Sequence, residues 1–193
     1  MLPNGEPRSG VTGTAGRAGL VCHPCTPAQH VRGIEVLAGR GTAGELRLDY
    51  LLNGDCTALR VPGPAAPVRR DGLWRHTCFE AFVTGGEGTA YREFNFSPSG
   101  EWAAYGFPVR RRDMQPLRLS RPPRIEITMA AESLRLYASV ACADLPFDGV
   151  LRIGLAAVIE DSGGVLSYFA LAHAGAEPDF HDPAGFILSL PAA

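Results

Sequence analysis

Lysine is absent from this chain, and all 18 of its basic residues are arginine. That excludes a Schiff-base lysine and a phosphate-loop lysine, since both chemistries need a primary amine. Long hydrophobic runs are absent too. No stretch approaches the roughly 20 apolar residues a membrane-spanning helix needs. The first twenty residues lack the continuous apolar core of a secretory signal. Charge of one sign is also missing: a net charge of -2 offers no concentrated basic surface for nucleic acid. No Gly-rich phosphate loop and no Gly-x-Ser-x-Gly nucleophile elbow occurs. No helical period persists long enough to specify a helix. The five cysteines are odd in number and scattered at positions 22, 25, 56, 78 and 142. Three of them sit in apolar, strand-like runs where a reduced thiol behaves as a small hydrophobe. These absences together lead us to expect a soluble, reduced, cytoplasmic protein with no membrane or nucleic-acid partner.

What the chain does have is alternation broken by Gly and Pro. Hydrophobic residues make up 46% of its 193 positions, enough apolar side chain for one self-sufficient core. Residues 1–18 are rich in Gly, Pro, Ser and Thr, carry no hydrophobic period, and are expected to form a loose leader. Residues 19–193 then make one domain of short strands. In the run 45–52, Leu46, Leu48, Tyr50 and Leu52 share one face while Arg47 and Asp49 share the other. Strands are expected at 34–38 and 56–61 on either side of it. Three hairpins follow, pairing 77–84 with 89–96, 124–130 with 133–142, and 150–160 with 165–172. Single strands fit 101–107 and 186–190, and the Pro- and Arg-containing stretch 109–123 reads as a long loop. Ten or more short strands predict an all-β fold, a two-sheet antiparallel β-sandwich of jelly-roll type.

Rings, carboxylates and an amide crowd into residues 74–107. Flat rings beside hydrogen-bonding groups suit a polar, ring-shaped ligand. Trp74 would stack on it through C–H contacts with the indole. Glu80 and Glu93, in neighbouring strands of one hairpin, would accept hydroxyl hydrogen bonds. Arg92 and Asn95 would orient the ligand or brace the carboxylates, although their opposite parity lets both meet one ligand only across a bulge. His173, Asp179 and His181 would complete the rim.

Plainer readings stand beside these. Trp74 could plug one end of the core, and Trp102 is expected to face it. Glu80 and Glu93 could be buried ion pairs with arginine, or an acid pair for glycoside hydrolysis, which needs a defined separation across a cleft. His173, Asp179, His181 and Asp182 could hold a metal or simply tie their loop to itself. The run Arg110-Arg111-Arg112 fits a solvated surface or an anion contact. Cys22-His23-Pro24-Cys25 has the spacing of a redox pair but lacks the helix N-terminus and βαβ setting that such a pair uses.

The segment Trp74-x-x-Thr77-Cys78-Phe79-Glu80-Ala81-Phe82, continued by Tyr91-x-Glu93-Phe94-Asn95-Phe96-Ser97-Pro98-Ser99-Gly100-x-Trp102-Ala103-Ala104-Tyr105, resembles the bacterial DOMON-like proteins. Those are related to the family 9 carbohydrate-binding modules. The closing motifs Tyr168-Phe169-Ala170-Leu171-Ala172-His173 and Pro178-Asp179-Phe180-His181-x-Pro183 resemble the same group, so the likeness covers roughly residues 20–190. It implies a β-sandwich whose relatives bind sugars or haem. In the sugar binders two Trp rings sandwich the sugar while carboxylates, Arg and Asn take its hydroxyls. Trp74 and Glu80 match the first Trp and the carboxylate in type and spacing. Where the second Trp would stand, this chain has Phe180, His181 and Phe186. In the haem binders a Met and a His are the axial ligands; Met114 and Met129 are available, without matching that Met position.

The reading taken forward is a non-catalytic module for a small polar ligand, a carbohydrate first, with no cofactor and no metal. A haem- or metal-binding DOMON-type domain is one alternative. An interaction or structural module without a small-molecule ligand is the other.

Overall fold

The computed structural model describes residues 16–85, 89–146 and 149–192. Among these residues twelve strands carry the fold: β1 (Gly16–Cys22), β2 (Val31–Arg40), β3 (Leu46–Gly54), β4 (Cys78–Gly85), β5 (Tyr91–Phe96), β6 (Trp102–Phe107), β7 (Gln115–Pro116), β8 (Arg124–Ala130), β9 (Ser133–Val140), β10 (Leu151–Glu160), β11 (Leu166–Ala170) and β12 (Leu188–Leu190). All pair antiparallel in the order β7-β6-β5-β4-β10-β11-β1-β2-β3-β9-β8, with β12 also on β10. Among the described residues the only helical turns are short 3-10 turns.

The order curls into two layers because β1 changes partners midway. Gly16 to Leu20 pair with β2, while Val21 and Cys22 pair with β11. One layer is β1-β2-β3-β9-β8; the other is β7-β6-β5-β4-β10-β11 with β12. Alternation turns Ile34, Val36, Leu46, Leu48, Tyr50, Leu134 and Leu136 of the first layer toward Phe79, Val83, Phe94, Phe96, Ile153 and Leu155 of the second. That inter-sheet core is the β-sandwich expected from the pattern.

Several boundaries differ from expectation. Of the proposed leader, residues 1–15 lie outside the described residues, while Gly16 to Ala18 already belong to β1. The turn residues 86–88 also lie outside them. No strand forms over 56–61. The Asp55 side chain accepts the Thr57 N–H at 3.1 Å, which folds Cys56–Ala58 into a 3-10 turn before Leu59 bridges to Asp161. The loop 109–123 contains the two-residue β7, and β12 starts only at Leu188 because Pro183–Gly185 forms a 3-10 turn capped by Asp182.

Candidate functional site

A sheet in a sandwich needs one buried face, but the second layer here buries both. On its outer face stand Cys78, Glu80 and Phe82 of β4, Tyr91, Glu93 and Asn95 of β5, and Ala103, Tyr105 and Phe107 of β6, all buried. Cross-strand register arranges them in rows. One row runs Ala103, Asn95, Glu80, Ala156, Ala170; the next runs Tyr105, Glu93, Phe82, Gly154. Small side chains therefore flank the polar pair Asn95 and Glu80, and rings flank Glu93.

Two segments roof this face. Leu73 and Trp74 come from the 3-10 turn Leu73–Arg75, and Trp74 meets Tyr105 edge to face at 5.7 Å. Phe180, His181 and Phe186 come from segment 173–187. Phe186 stacks on Phe82 at 6.0 Å and presses so closely on β10 that a Cβ at Gly154 would lie 2.5 Å from its ring. Gly154 is required there for that approach. Phe180 packs on Phe82 and Tyr168, so it reaches the face from the β11 side, whereas Trp74 reaches it from the β6 side. Both rings are half-buried and half-open.

The carboxyls beneath are unusual in their partners. Six acidic residues are buried among the described residues: Glu45, Glu80, Glu93, Glu101, Asp144 and Glu160. Glu45 and Glu101 are clasped by Arg47 and Arg70, Glu160 by Arg60 and His76, and Asp144 by both donors of Ser120. Glu93 accepts only the Asn95 amide, at 2.6 Å, and stands 3.8 Å from His181. Glu80, 2% exposed, is the exception: its Oε1 is buried with no hydrogen-bond partner. Burial, with the neighbouring Glu93, pushes the Glu80 carboxyl well above the usual range. Burial also lifts Glu93 to about 7, against the Asn95 hydrogen bond and the Arg111 charge. Glu80 is thus held toward its neutral form, in which a carboxyl can donate as well as accept.

A polar chain ties this floor to the surface. Burial, then the Arg111 charge, lowers His181 to about 4, so its ring is neutral. The Arg111 N–H donates to Tyr91 Oη at 3.2 Å, and Tyr91 Oη lies 2.7 Å from His181 Nδ1. With the Tyr91 hydroxyl donating to Nδ1, the ring hydrogen sits on Nε2, 3.8 Å from Glu93. Arg110 and Arg111 both clasp Asp179, and Arg110 also meets Asp182 at 2.9 Å. Arg111 holds a left-handed backbone, φ 55°, in making these contacts, a conformation that costs a non-glycine residue on the order of 1 kcal/mol or more.

Of the residues singled out in the sequence, the structure brings together Trp74, Glu80, Glu93, Asn95 and His181. Arg92 stands apart. Its parity turns it with Phe94 to the opposite face, where it donates to the Asp144 carbonyl at 2.6 Å. Asp179 is engaged by its arginines, so Arg110 and Arg111 are latch residues rather than a free basic run. His173 lies against the Val21 carbonyl at 2.9 Å and edge-on to His23 at 4.6 Å. His173 has partners of its own, Asp179 accepts the His181 backbone N–H at 3.0 Å, and no metal-holding group of His, Cys, Asp and Glu occurs among the described residues. Trp102 faces the inter-sheet core. Met114 and Met129 are exposed, and neither joins the outer-face cluster. Tyr91, Tyr105 and Phe82 are wall residues missing from the sequence-based set. Their shared parity with Glu93 and Glu80 was the available signal.

No protein-family model matches the chain, and no curated protein sequence does. Solved structures do resemble it. A Bacteroides uniformis protein assigned to carbohydrate binding superposes with a TM-score of 0.68 at 17% identity, covering 91% of this chain and 85% of its own. A family 9 carbohydrate-binding module from Caldicellulosiruptor kristjanssonii in complex with cellotriose gives 0.55 at 8% identity, covering 86% and 76%. The glucose complex of a family 9 module from the same organism gives 0.53 at 7% identity, covering 86% and 78%. At these identities the likeness establishes a shared fold.

Proposed function

We propose that the roofed outer face binds a carbohydrate without turning it over. Trp74 and Phe180 are the rings between which a sugar enters, and Glu80, Glu93 and Asn95 are the hydrogen-bonding floor. The observation that carries this reading is Glu80, whose buried Oε1 has no hydrogen-bond partner, whereas the other buried acids among the described residues are satisfied. An unpaired buried polar group costs roughly 1–3 kcal/mol, which a ligand hydroxyl would recover. The fold likeness to sugar-binding modules supports the ligand class. Binding rather than hydrolysis fits two acids lying side by side on one floor, since glycosidic cleavage places them across a cleft.

Calorimetric titration with glucose, cellotriose and a panel of other glycans tests the proposal. At least one glycan should bind, Trp74→Ala should weaken it about 2- to 10-fold, and Glu80→Gln should weaken it further than Asp179→Asn does. Unchanged affinity in both the Trp74 and Glu80 variants, or no binding to any glycan, would falsify it. Near-complete burial of Glu80 favours a second reading, a purely structural layer, which predicts no binding in any arm of the same titration.

A further inference from the structure

Where β1 ends, away from the outer-face floor, the chain sets a nucleophile, a base and an orienting group side by side. Cys25 is the one exposed thiol among the five cysteines. Its Sγ lies 3.0 Å from Nδ1 of His23, a ring that is 3% exposed. The contacts of His23 fix its tautomer. The Cys25 backbone N–H donates to Nδ1 at 3.2 Å, so Nδ1 bears the lone pair. Nε2 stands 3.3 Å from the Gly175 carbonyl, which only accepts, so Nε2 bears the hydrogen. The Cys25 S–H thus shares the Nδ1 lone pair with its own backbone N–H, and the ring is held from behind by a carbonyl. This is the nucleophile, base and orienter arrangement of activated thiols.

The surroundings keep the pair selective. The turn is closed by the Thr26 N–H on the His23 carbonyl at 3.0 Å, and the His23 N–H is held by the Tyr168 carbonyl at 2.8 Å. Burial, chiefly, lowers the pKa of His173, edge-on to His23, which disfavours an opposing positive charge there. Cys22 is half-buried and donates its S–H to the Thr26 carbonyl at 3.2 Å, which leaves it without a base. Cys56 and Cys78 are buried, and Cys142 is half-buried.

We propose that Cys25 is a thiol-modification site that exchanges with small-molecule disulfides under general-base assistance from His23. In the step, Cys25 Sγ attacks one sulfur of R–S–S–R, the S–S bond breaks, and R–S⁻ departs. The thiol proton passes to His23 Nδ1 and then to the departing thiolate, giving Cys25–S–S–R and R–SH with no outside electron donor.

The test uses the full, reduced chain with 5,5′-dithiobis(2-nitrobenzoate) and, separately, oxidised glutathione, with peptide mapping by mass spectrometry. The first equivalent should land on Cys25 and react at pH 7 about tenfold faster than N-acetylcysteine, a free thiol being only a few per cent ionised there. Cys25→Ser should abolish that fast phase, and His23→Gln should slow it to the free-thiol rate. Because His23 is buried, the unaltered chain supplies a second readout: with both reagents the first label should fall on Cys25 ahead of Cys22 and Cys142. A first label on Cys22 or Cys142, or a Cys25 rate matching N-acetylcysteine, would overturn the proposal.

Discussion

The inter-sheet core and the outer-face layer are cut from the same strands, one residue out of phase. Phe79, Ala81 and Val83 of β4 and Phe94 and Phe96 of β5 enter the first; Cys78, Glu80 and Phe82, with Tyr91, Glu93 and Asn95, enter the second. The first is almost wholly apolar. Its polar crossing is Tyr50, whose hydroxyl donates at 2.8 Å to the backbone carbonyl of Glu80. The second mixes rings with two carboxyls and an amide, and burial holds both carboxyls toward the neutral form. Antiparallel sheets commonly leave their outer face wet. Covering this one with loops, and with acids beneath them, gives up stability that an apolar face would have kept. The comparison teaches where to look: the dry layer makes the fold, and the costly layer is where selection for a ligand would leave its mark.

The largest expected effect breaks the dry layer. Leu136→Ala, at a fully buried position between the sheets, should cost about 2–5 kcal/mol in urea unfolding. Trp74→Ala, at the half-open mouth of the other layer, should cost well under half of that. Equal losses would erase the distinction between the two layers.

A smaller effect should emerge with pH, and its sign separates the groups. Glu80 and Glu93 have raised folded values, so the folded chain keeps protons that the unfolded chain releases. Their contribution is full below the ordinary glutamate range near about 4.5 and is lost as pH rises above it, through about 7 for Glu93. His181 runs the other way. Its folded value of about 4 makes its contribution full above about 6.5 and lost as pH falls toward 4. Between pH 7 and 8 the Glu93 contribution fades, so that of Glu80 weighs more. Glu80→Gln should there remove a decline of up to about 1.4 kcal/mol per pH unit and leave the variant more stable than the parent at pH 8. Parallel stability curves for parent and variant across that interval would show Glu80 to be ionised when folded.

Much of the costly layer was legible in the sequence, because strand parity is a local property. Alternation within 77–84 and 89–96 already set Glu80, Glu93 and Asn95 apart from Phe79 and Phe94, and it flagged Arg92 as the odd member. What parity cannot give is the roof. Phe180, His181 and Phe186 reach the sheet through a loop whose path depends on Asp179 meeting two arginines about 70 positions earlier in the chain. Arg110 and Arg111 read as solvated for the same reason, their partner being distant in sequence. The strand β1 (Gly16–Cys22) was not read at all, because glycine and alanine carry little alternating signal, and its place is set by pairing with β2 and β11. The turn at Cys56 was missed because apolar residues there suggested a strand, while the Asp55 cap decided otherwise.

The smallest effect on global stability should come from the latch, and it tests the comparison most finely. Asp179→Asn removes the charge that Arg110 and Arg111 clasp, while an amide oxygen can still accept the His181 N–H now held at 3.0 Å. Partly exposed ion pairs contribute at most about 1 kcal/mol, so the unfolding midpoint should scarcely move. Local opening is a different quantity. If the roof is a separate, weaker unit, amide hydrogen exchange across 178–186 should quicken severalfold while β3, β4 and β9 keep their protection. High salt on the unaltered chain should reproduce part of that change, because it screens the same charges. Exchange that quickens equally in the roof and in the inter-sheet strands would mean that the two layers open together, and a ligand could then reach Glu80 only by unfolding the sandwich.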